Sequence, residues 1–70
     1  MLNIESVIYQ YIHELSCRKE RKCKPSEMLE FYGRVYQCHY NALTQGTQEQ
    51  YLLLEQILDD IQKYIKGIEV

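Results

Sequence analysis

The segment from Thr47 to Gly67 constrains the fold most, because it has the pattern of a complete amphipathic helix with a start and a stop. At about 100° per residue, its large apolar side chains fall within one arc roughly 160° wide, which contains no charged residue. These apolar residues are Tyr51, Leu53, Leu54, Ile57, Leu58, Ile61, Tyr64 and Ile65. The pattern predicts a helix over residues 48–66 that lies between an apolar core and water.

Both ends of this helix carry capping residues. Thr47 can accept a hydrogen bond from an amide of the first turn, while Gln50 can reach back to the Thr47 amide, as in a capping box. At the far end, Gly67 can adopt the left-handed conformation that closes a helix, and Ile68 can then fold back on the last turn. We therefore expect the helix to stop at Gly67.

A first helix is predicted over residues 4–22. Its apolar residues recur at helical spacing over an arc of about 140°, with Asn3 as the N-cap. They are Ile4, Val7, Ile8, Tyr11, Ile12 and Leu15. Pro25 should end this helix, because the residue before a proline is pushed out of helical geometry.

The middle helix is predicted over residues 27–43, with Ser26 as its cap and a short turn at residues 44–46. Its apolar residues cover roughly 200°, and a helix this wide is expected to be covered on two sides. Short turns join antiparallel helices. We therefore predict an all-α fold and one small domain over residues 1–70, in which an antiparallel hairpin (27–43 and 48–66) carries the first helix on one flank of its middle helix.

Size and composition exclude several classes of protein. No run approaches the ~18 apolar residues of a membrane span, and the first 15 residues lack the pattern of a signal peptide. The odd number of cysteines, three, is also awkward for a secreted disulfide framework, so a cytoplasmic location is expected. Net charge is −2, although five of the eight basic residues lie between Arg18 and Lys24. We do not expect the chain to bind nucleic acid.

Neither a metal site nor an active site is predicted. His13 and Cys17 share a helix face and Cys38 precedes His39, but no CxxC pair of the kind usual in structural zinc sites is present. Nucleophilic catalysis would need a cysteine, a histidine and an acid to converge in a pocket, and three short helices leave little room for a cleft. We therefore expect no cofactor and no enzymatic activity.

The tyrosine content is unusual, with seven tyrosines against one phenylalanine and no tryptophan. A tyrosine buries a large ring while keeping its hydroxyl at a wet edge. This composition suits either the rim of an interface or the edge of a small core, and the sequence does not choose between them.

The stretch Thr47-Gln48-Glu49-Gln50-Tyr51, followed by a leucine-rich amphipathic helix, resembles the C-terminal half of small type III secretion co-chaperones of the YscE, SsaE and EscE type. The resemblance covers mainly residues 28–66, and Thr47 stands where that family more often has Asp. It implies a helical hairpin that binds a larger tetratricopeptide-like chaperone in the bacterial cytoplasm. The pair would hold the needle subunit and prevent its premature polymerisation, without catalysis.

Partner binding also agrees with the apolar pattern, because the three stripes hold more apolar surface than a bundle of this length should need. We predict a partner-binding face on the hairpin, some of whose residues must instead form the internal core. Its residues are Phe31, Val35, Leu54, Ile57, Leu58, Ile61 and Ile65.

Two alternative functions remain open. The chain could be a small phage- or plasmid-type regulator that inhibits an enzyme or a nucleic-acid complex through its basic segment, residues 18–24. It could also be a bundle that closes its apolar stripes on a second copy of itself. Salt dependence separates the first alternative from an apolar interface, because only a basic patch weakens steeply with ionic strength.

Overall fold

The computed structural model describes residues 3–69, with no description of the side chains of residues 68 and 69. The described part consists of three α-helices and contains no strand, which confirms the all-α prediction. They are α1 (Ile4–Arg21), α2 (Pro25–Gln45) and α3 (Gln48–Glu69). Successive helices run antiparallel, as their short connections require.

The start of α1 is the one predicted. The Asn3 side chain accepts a hydrogen bond from the Ser6 amide at 3.2 Å. At the other end, Lys22 lies just beyond the helix in the left-handed region, with φ of 56°, and its amide donates to the last turn. The helix thus ends one residue before the predicted limit at Lys22.

The limits predicted for α2 were too narrow at both ends. The helix begins at Pro25 with Lys24 as its N-cap, so the prediction of Ser26 as the cap was wrong. A proline is well suited to the first helical position, because the amide it lacks would have no partner there. The helix continues to Gln45, and the turn is therefore shorter than residues 44–46.

The turn between α2 and α3 packs closely around Gly46. A Cβ there would come within 3.0 Å of the Gln50 Oε1 atom, 3.1 Å of the Ile4 Cδ1 atom and 3.2 Å of the Ala42 Cα atom. Its φ of −113° is open to any residue, so the close approach, rather than the backbone conformation, favours glycine. This contact brings the start of α1 onto the hairpin turn.

The capping box of α3 is confirmed, but the predicted stop is not. The Gln50 amide donates to Thr47 Oγ1 at 3.1 Å, and the Thr47 amide donates to Gln50 Oε1 at 3.0 Å. Gly67 has no positive φ, and α3 runs through it to Glu69. The prediction of a left-handed cap was wrong because glycine permits that conformation without imposing it. The contact predicted for the Ile68 side chain lies outside the described residues.

The three helices enclose one apolar core, and α3 is the helix that contacts both others most. α1 packs on α2 as predicted, but it packs more extensively on α3, a contact that the sequence analysis did not predict. The core residues are Ile4, Ile8, Leu15, Cys23, Met28, Phe31, Val35, Cys38, Ala42, Leu54, Ile57, Leu58 and Ile61.

A charged network joins α1 to α2 over the edge of this core. Glu14 Oε2 accepts from Arg34 Nη2 at 2.6 Å and lies 2.8 Å from Arg18 Nη2. Glu30 pairs with Arg34 at 2.9 Å. Both guanidinium groups also face the Phe31 ring, at 5.1 and 5.4 Å from its centroid. Glu14 is thus the shared acceptor that holds two arginines against the core.

Replacing Glu14 with glutamine should destabilise the fold in a pH-dependent way. Burial by itself raises the pKa of the Glu14 carboxyl, but hydrogen bonds from Arg34 and Arg18 outweigh it and hold the pKa below its ordinary value of 4.5. The network therefore stabilises the folded chain above about pH 4.5, and this contribution is lost as pH falls through the lower pKa of the folded state. At pH 7 we expect Glu14→Gln to lower the free energy of unfolding by about 1–2 kcal/mol, allowing for partial exposure.

Urea titrations of wild type and Glu14→Gln across pH 7 to 3 test this expectation. The difference in the free energy of unfolding between wild type and Glu14→Gln should shrink toward zero as the pH falls. Glu55→Gln is the control, because Glu55 is exposed and makes no ion pair among residues 3–69, so its effect should stay near zero. If Glu14→Gln lowered the free energy of unfolding as much at pH 3 as at pH 7, the stabilising role of the ionised Glu14 carboxylate would be contradicted.

Candidate partner-binding surface

The residues predicted to form the partner-binding face lie mostly inside the fold. Six of the seven are buried core residues, and Ile65 is half-buried against the core. The six are Phe31, Val35, Leu54, Ile57, Leu58 and Ile61. In the folded single chain these side chains belong to one core cluster, so they are not accessible to a partner.

A different apolar surface faces outward on α2. Four large apolar side chains there are between 51 and 62% exposed, and they fall within about 60° of one another on the helix. We call these residues the α2 outer face: Leu29, Tyr36, Tyr40 and Leu43. Gly33 lies beside them, with no atom within 4 Å of where its Cβ would be. The expectation that α2 is covered on both sides is therefore not met in the single chain.

A groove of about 570 Å³ runs between α2 and α3 next to the outer face. We call it the tyrosine groove; its lining residues are Tyr32, Tyr36, His39, Leu52, Glu55, Gln56, Leu58, Asp59 and Gln62. The rings along its α2 edge form a ladder, in which Tyr32 stacks on Tyr36 at 6.2 Å and Tyr36 lies 6.0 Å from His39. His39 in turn stacks on Tyr51 of α3 at 4.1 Å. The ladder links the outer face to the core.

Some polar groups at the tyrosine groove have a hydrogen-bond or ion-pair partner, and one has none in the part of the chain that the structure describes. Gln62 Nε2 donates to the Tyr32 hydroxyl at 2.9 Å across the groove. The Nε2 atom of His39 is buried and has no hydrogen-bond partner among the described residues. Asp59 pairs with Lys63 at 3.2 Å, with both groups largely exposed. The groove thus combines aromatic rings and two carboxylates, with an unpartnered imidazole nitrogen buried beneath them.

A second groove, of about 440 Å³, lies between α1 and the start of α3. Its exposed apolar residues are Tyr9, Ile12 and Leu53, and Glu5 and Glu49 also line it. Leu53 belongs to the predicted apolar stripe of α3 but lies at its edge, and it is 38% exposed. The fold therefore leaves apolar surface on both sides of α3.

The basic segment is partly used by the fold. Arg18 binds Glu14, approaches Glu30 at 3.7 Å and donates to the Glu27 carbonyl oxygen at 3.1 Å. Lys19 lies 3.8 Å from Asp60 of α3. The remaining cations of the segment, Arg21, Lys22 and Lys24, are exposed and form no salt bridge within the described part. Arg18 therefore has a structural role.

The cysteines and histidines of the described part do not gather into one cluster. Cys17 Sγ approaches His13 Nε2 at 3.6 Å, while Cys23 and Cys38 are buried. Burial raises the pKa of the Cys38 thiol, as for a residue that packs in the core. Across residues 3–69, no three metal-binding side chains come together. None of the three helices, over the same residues, combines the length and apolarity needed to cross a bilayer.

The α2 outer face was missed by the sequence reasoning, although a signal for it was present. The apolar arc of α2 is about 200° wide, and the outer face lies roughly 120° around the helix from the core residues. One neighbouring helix cannot cover both groups of residues. The outer part of the apolar arc is therefore exposed unless a second partner packs on it. Comparison with protein-family models, curated proteins and solved structures found no match to this chain.

Proposed function

We propose that this chain is a non-enzymatic co-chaperone of a type III secretion system in the bacterial cytoplasm. It binds a larger tetratricopeptide-like chaperone and helps to keep the needle subunit soluble and unpolymerised. The observation that carries the proposal is the α2 outer face, four large apolar side chains exposed along one helix. Contiguous exposed apolar surface of this kind marks a protein interface.

The geometry of the outer face suits a helical-repeat partner. Helix-in-groove recognition uses apolar anchors on one face of an amphipathic helix, and stacked helical repeats present extended concave surfaces. Tyr36 and Tyr40 add large rings with hydroxyl groups, which are common where a contact is apolar at its centre and wet at its edge. Gly33 leaves room for a partner helix to approach the α2 backbone closely.

The resemblance to the co-chaperone family supports the same function through a different surface. The motif around Gln50 and Tyr51 caps α3, whose apolar stripe is largely enclosed by the core. Binding is therefore assigned to α2. A chain of 70 residues has a small core, so binding of a partner to the folded state would also stabilise it by mass action.

Replacing Tyr40 and Leu43 together with serine should abolish binding without unfolding the chain. Both side chains are more than half exposed, so their loss should change stability little, whereas central apolar anchors contribute about 2 kcal/mol or more each to binding. We expect at least about 100-fold weaker affinity for the tetratricopeptide-like chaperone of the same secretion system, measured by calorimetry on purified proteins. Circular dichroism checks that the variant stays helical.

The matched control is Gln37→Ser with Asn41→Ser, on the polar strip of the same helix, which should bind as the wild type does. Lys22→Glu should also leave binding intact. Loss of binding in Lys22→Glu, with binding unchanged in the serine double variant, would favour the regulator that acts through residues 18–24. Light scattering of the isolated chain adds one more test, because a stable dimer broken by the double variant would favour self-association.

A further inference from the structure

The surface around the tyrosine groove is acidic. Between Val35 and Gln62 the sequence contains no lysine or arginine, but it contains Glu49, Glu55, Asp59 and Asp60. Glu55 and Asp59 line the groove. The nearest cation in sequence, Lys63, pairs with Asp59 in an exposed contact of the kind that contributes little to stability. An incoming cation could therefore compete for these carboxylates.

The opposite wall of the groove offers aromatic faces. The rings of Tyr32 and Tyr36 lie within 22° of parallel, and His39 continues the same wall. The Nε2 atom of His39 is buried beneath this wall, so the ring faces rather than this nitrogen are what the wall presents.

We propose that the tyrosine groove receives an arginine side chain from the helix of a partner protein that binds the α2 outer face. This inference rests on the proposed function and names the chemistry of the segment that is bound. A guanidinium group is planar, stacks on tyrosine rings and donates in a fork to a carboxylate. Leu52 and Tyr36 supply apolar contacts for its aliphatic stem, as amphipathic side chains require.

Charge complementarity selects this occupant over others. An acidic side chain would be repelled by Glu55 and Asp59, and a purely apolar one would gain nothing from either carboxylate. A lysine would satisfy the charge, but its ammonium group cannot stack on the ring faces as a guanidinium does. Arginine is therefore the side chain that uses both the aromatic faces and the carboxylates of the groove.

The test uses two synthetic helical peptides of alanine and leucine, identical except for one central residue. One carries arginine there and the other carries citrulline, which has nearly the same shape without the charge. Titration of the ¹⁵N-labelled full chain should shift the amide signals of Tyr32, Tyr36, His39 and Leu52 in a saturable way. We expect the arginine peptide to bind at least about tenfold more tightly than the citrulline peptide at low salt.

Neighbouring residues of α3 provide the matched variants. Asp59→Asn and Glu55→Gln should each weaken the affinity for the arginine peptide about 3- to 10-fold and leave the affinity for the citrulline peptide unchanged. Asp60→Asn is the control, because Asp60 is exposed beside Asp59 and does not line the groove, and its contact with Lys19 is long and exposed. Equal affinity for the two peptides, or shifts centred on the groove between α1 and α3, would overturn the proposal.

This experiment can fail separately from the proposed function. If the tetratricopeptide-like chaperone binds through Tyr40 and Leu43 while arginine and citrulline peptides bind alike, only the assignment of arginine is wrong. If arginine is preferred but the chaperone does not bind, the groove recognises cations and the co-chaperone function is wrong.

Discussion

Phe31→Ala should lower the free energy of unfolding by about 3–5 kcal/mol, the cost of removing a large buried ring and leaving a cavity. Phe31 is fully buried, and its ring meets that of Tyr11 edge to face at 5.8 Å. It also carries the guanidinium groups of Arg18 and Arg34 on its surface. A core of this size rarely supplies more than about 3–5 kcal/mol in total, so most molecules of the variant should be unfolded at 25 °C.

Urea unfolding followed by circular dichroism at 222 nm measures this effect. Leu29→Ala is the control, since Leu29 lies on the same helix but is 58% exposed, and its free energy of unfolding should change by no more than about 0.5 kcal/mol. Similar losses for the two variants would show that Phe31 does not lie at the centre of the core in solution.

Ile61→Asp should unfold the chain. The variant should therefore fail to bind any partner because it is unfolded. Ile61 is fully buried in the core, where a carboxylate would find no cation or donor among its apolar neighbours. Burying an unpaired charge costs several kcal/mol, which exceeds the stability expected for a domain of this size. The variant should show little helical signal by circular dichroism, and it should expose its amides to rapid hydrogen exchange.

Leu52→Asp is the matched control on the same helix. Leu52 is 48% exposed in the tyrosine groove, so the new carboxylate remains hydrated and the chain should melt within a few degrees of wild type. If Ile61→Asp instead kept a cooperative, near wild-type melting transition, the apolar stripe of α3 would be accessible in solution. The face first predicted from the sequence would then regain its role as the interface.

The helix starts that were predicted correctly depend on local chemistry. Asn3 caps α1 and Thr47 with Gln50 caps α3, because a side chain within three residues can satisfy the amides of the first turn. The errors at Gly67 and Ser26 arose where the local signal allows more than one outcome. Glycine accepts helical as well as left-handed geometry, and Pro25 can begin a helix as readily as it ends the one before.

The sequence by itself determined three amphipathic helices, their main caps and an excess of apolar surface, because each of these depends on spacing along the chain. Only the tertiary structure decided where the excess lies. α3, rather than α2, became the helix on which α1 mainly packs, so Leu54 and Ile61 are buried while Tyr36 and Leu43 stay exposed. Helical periodicity states how wide each apolar stripe is, but which stripe is enclosed depends on how three helices pack together, and no single helix encodes that arrangement.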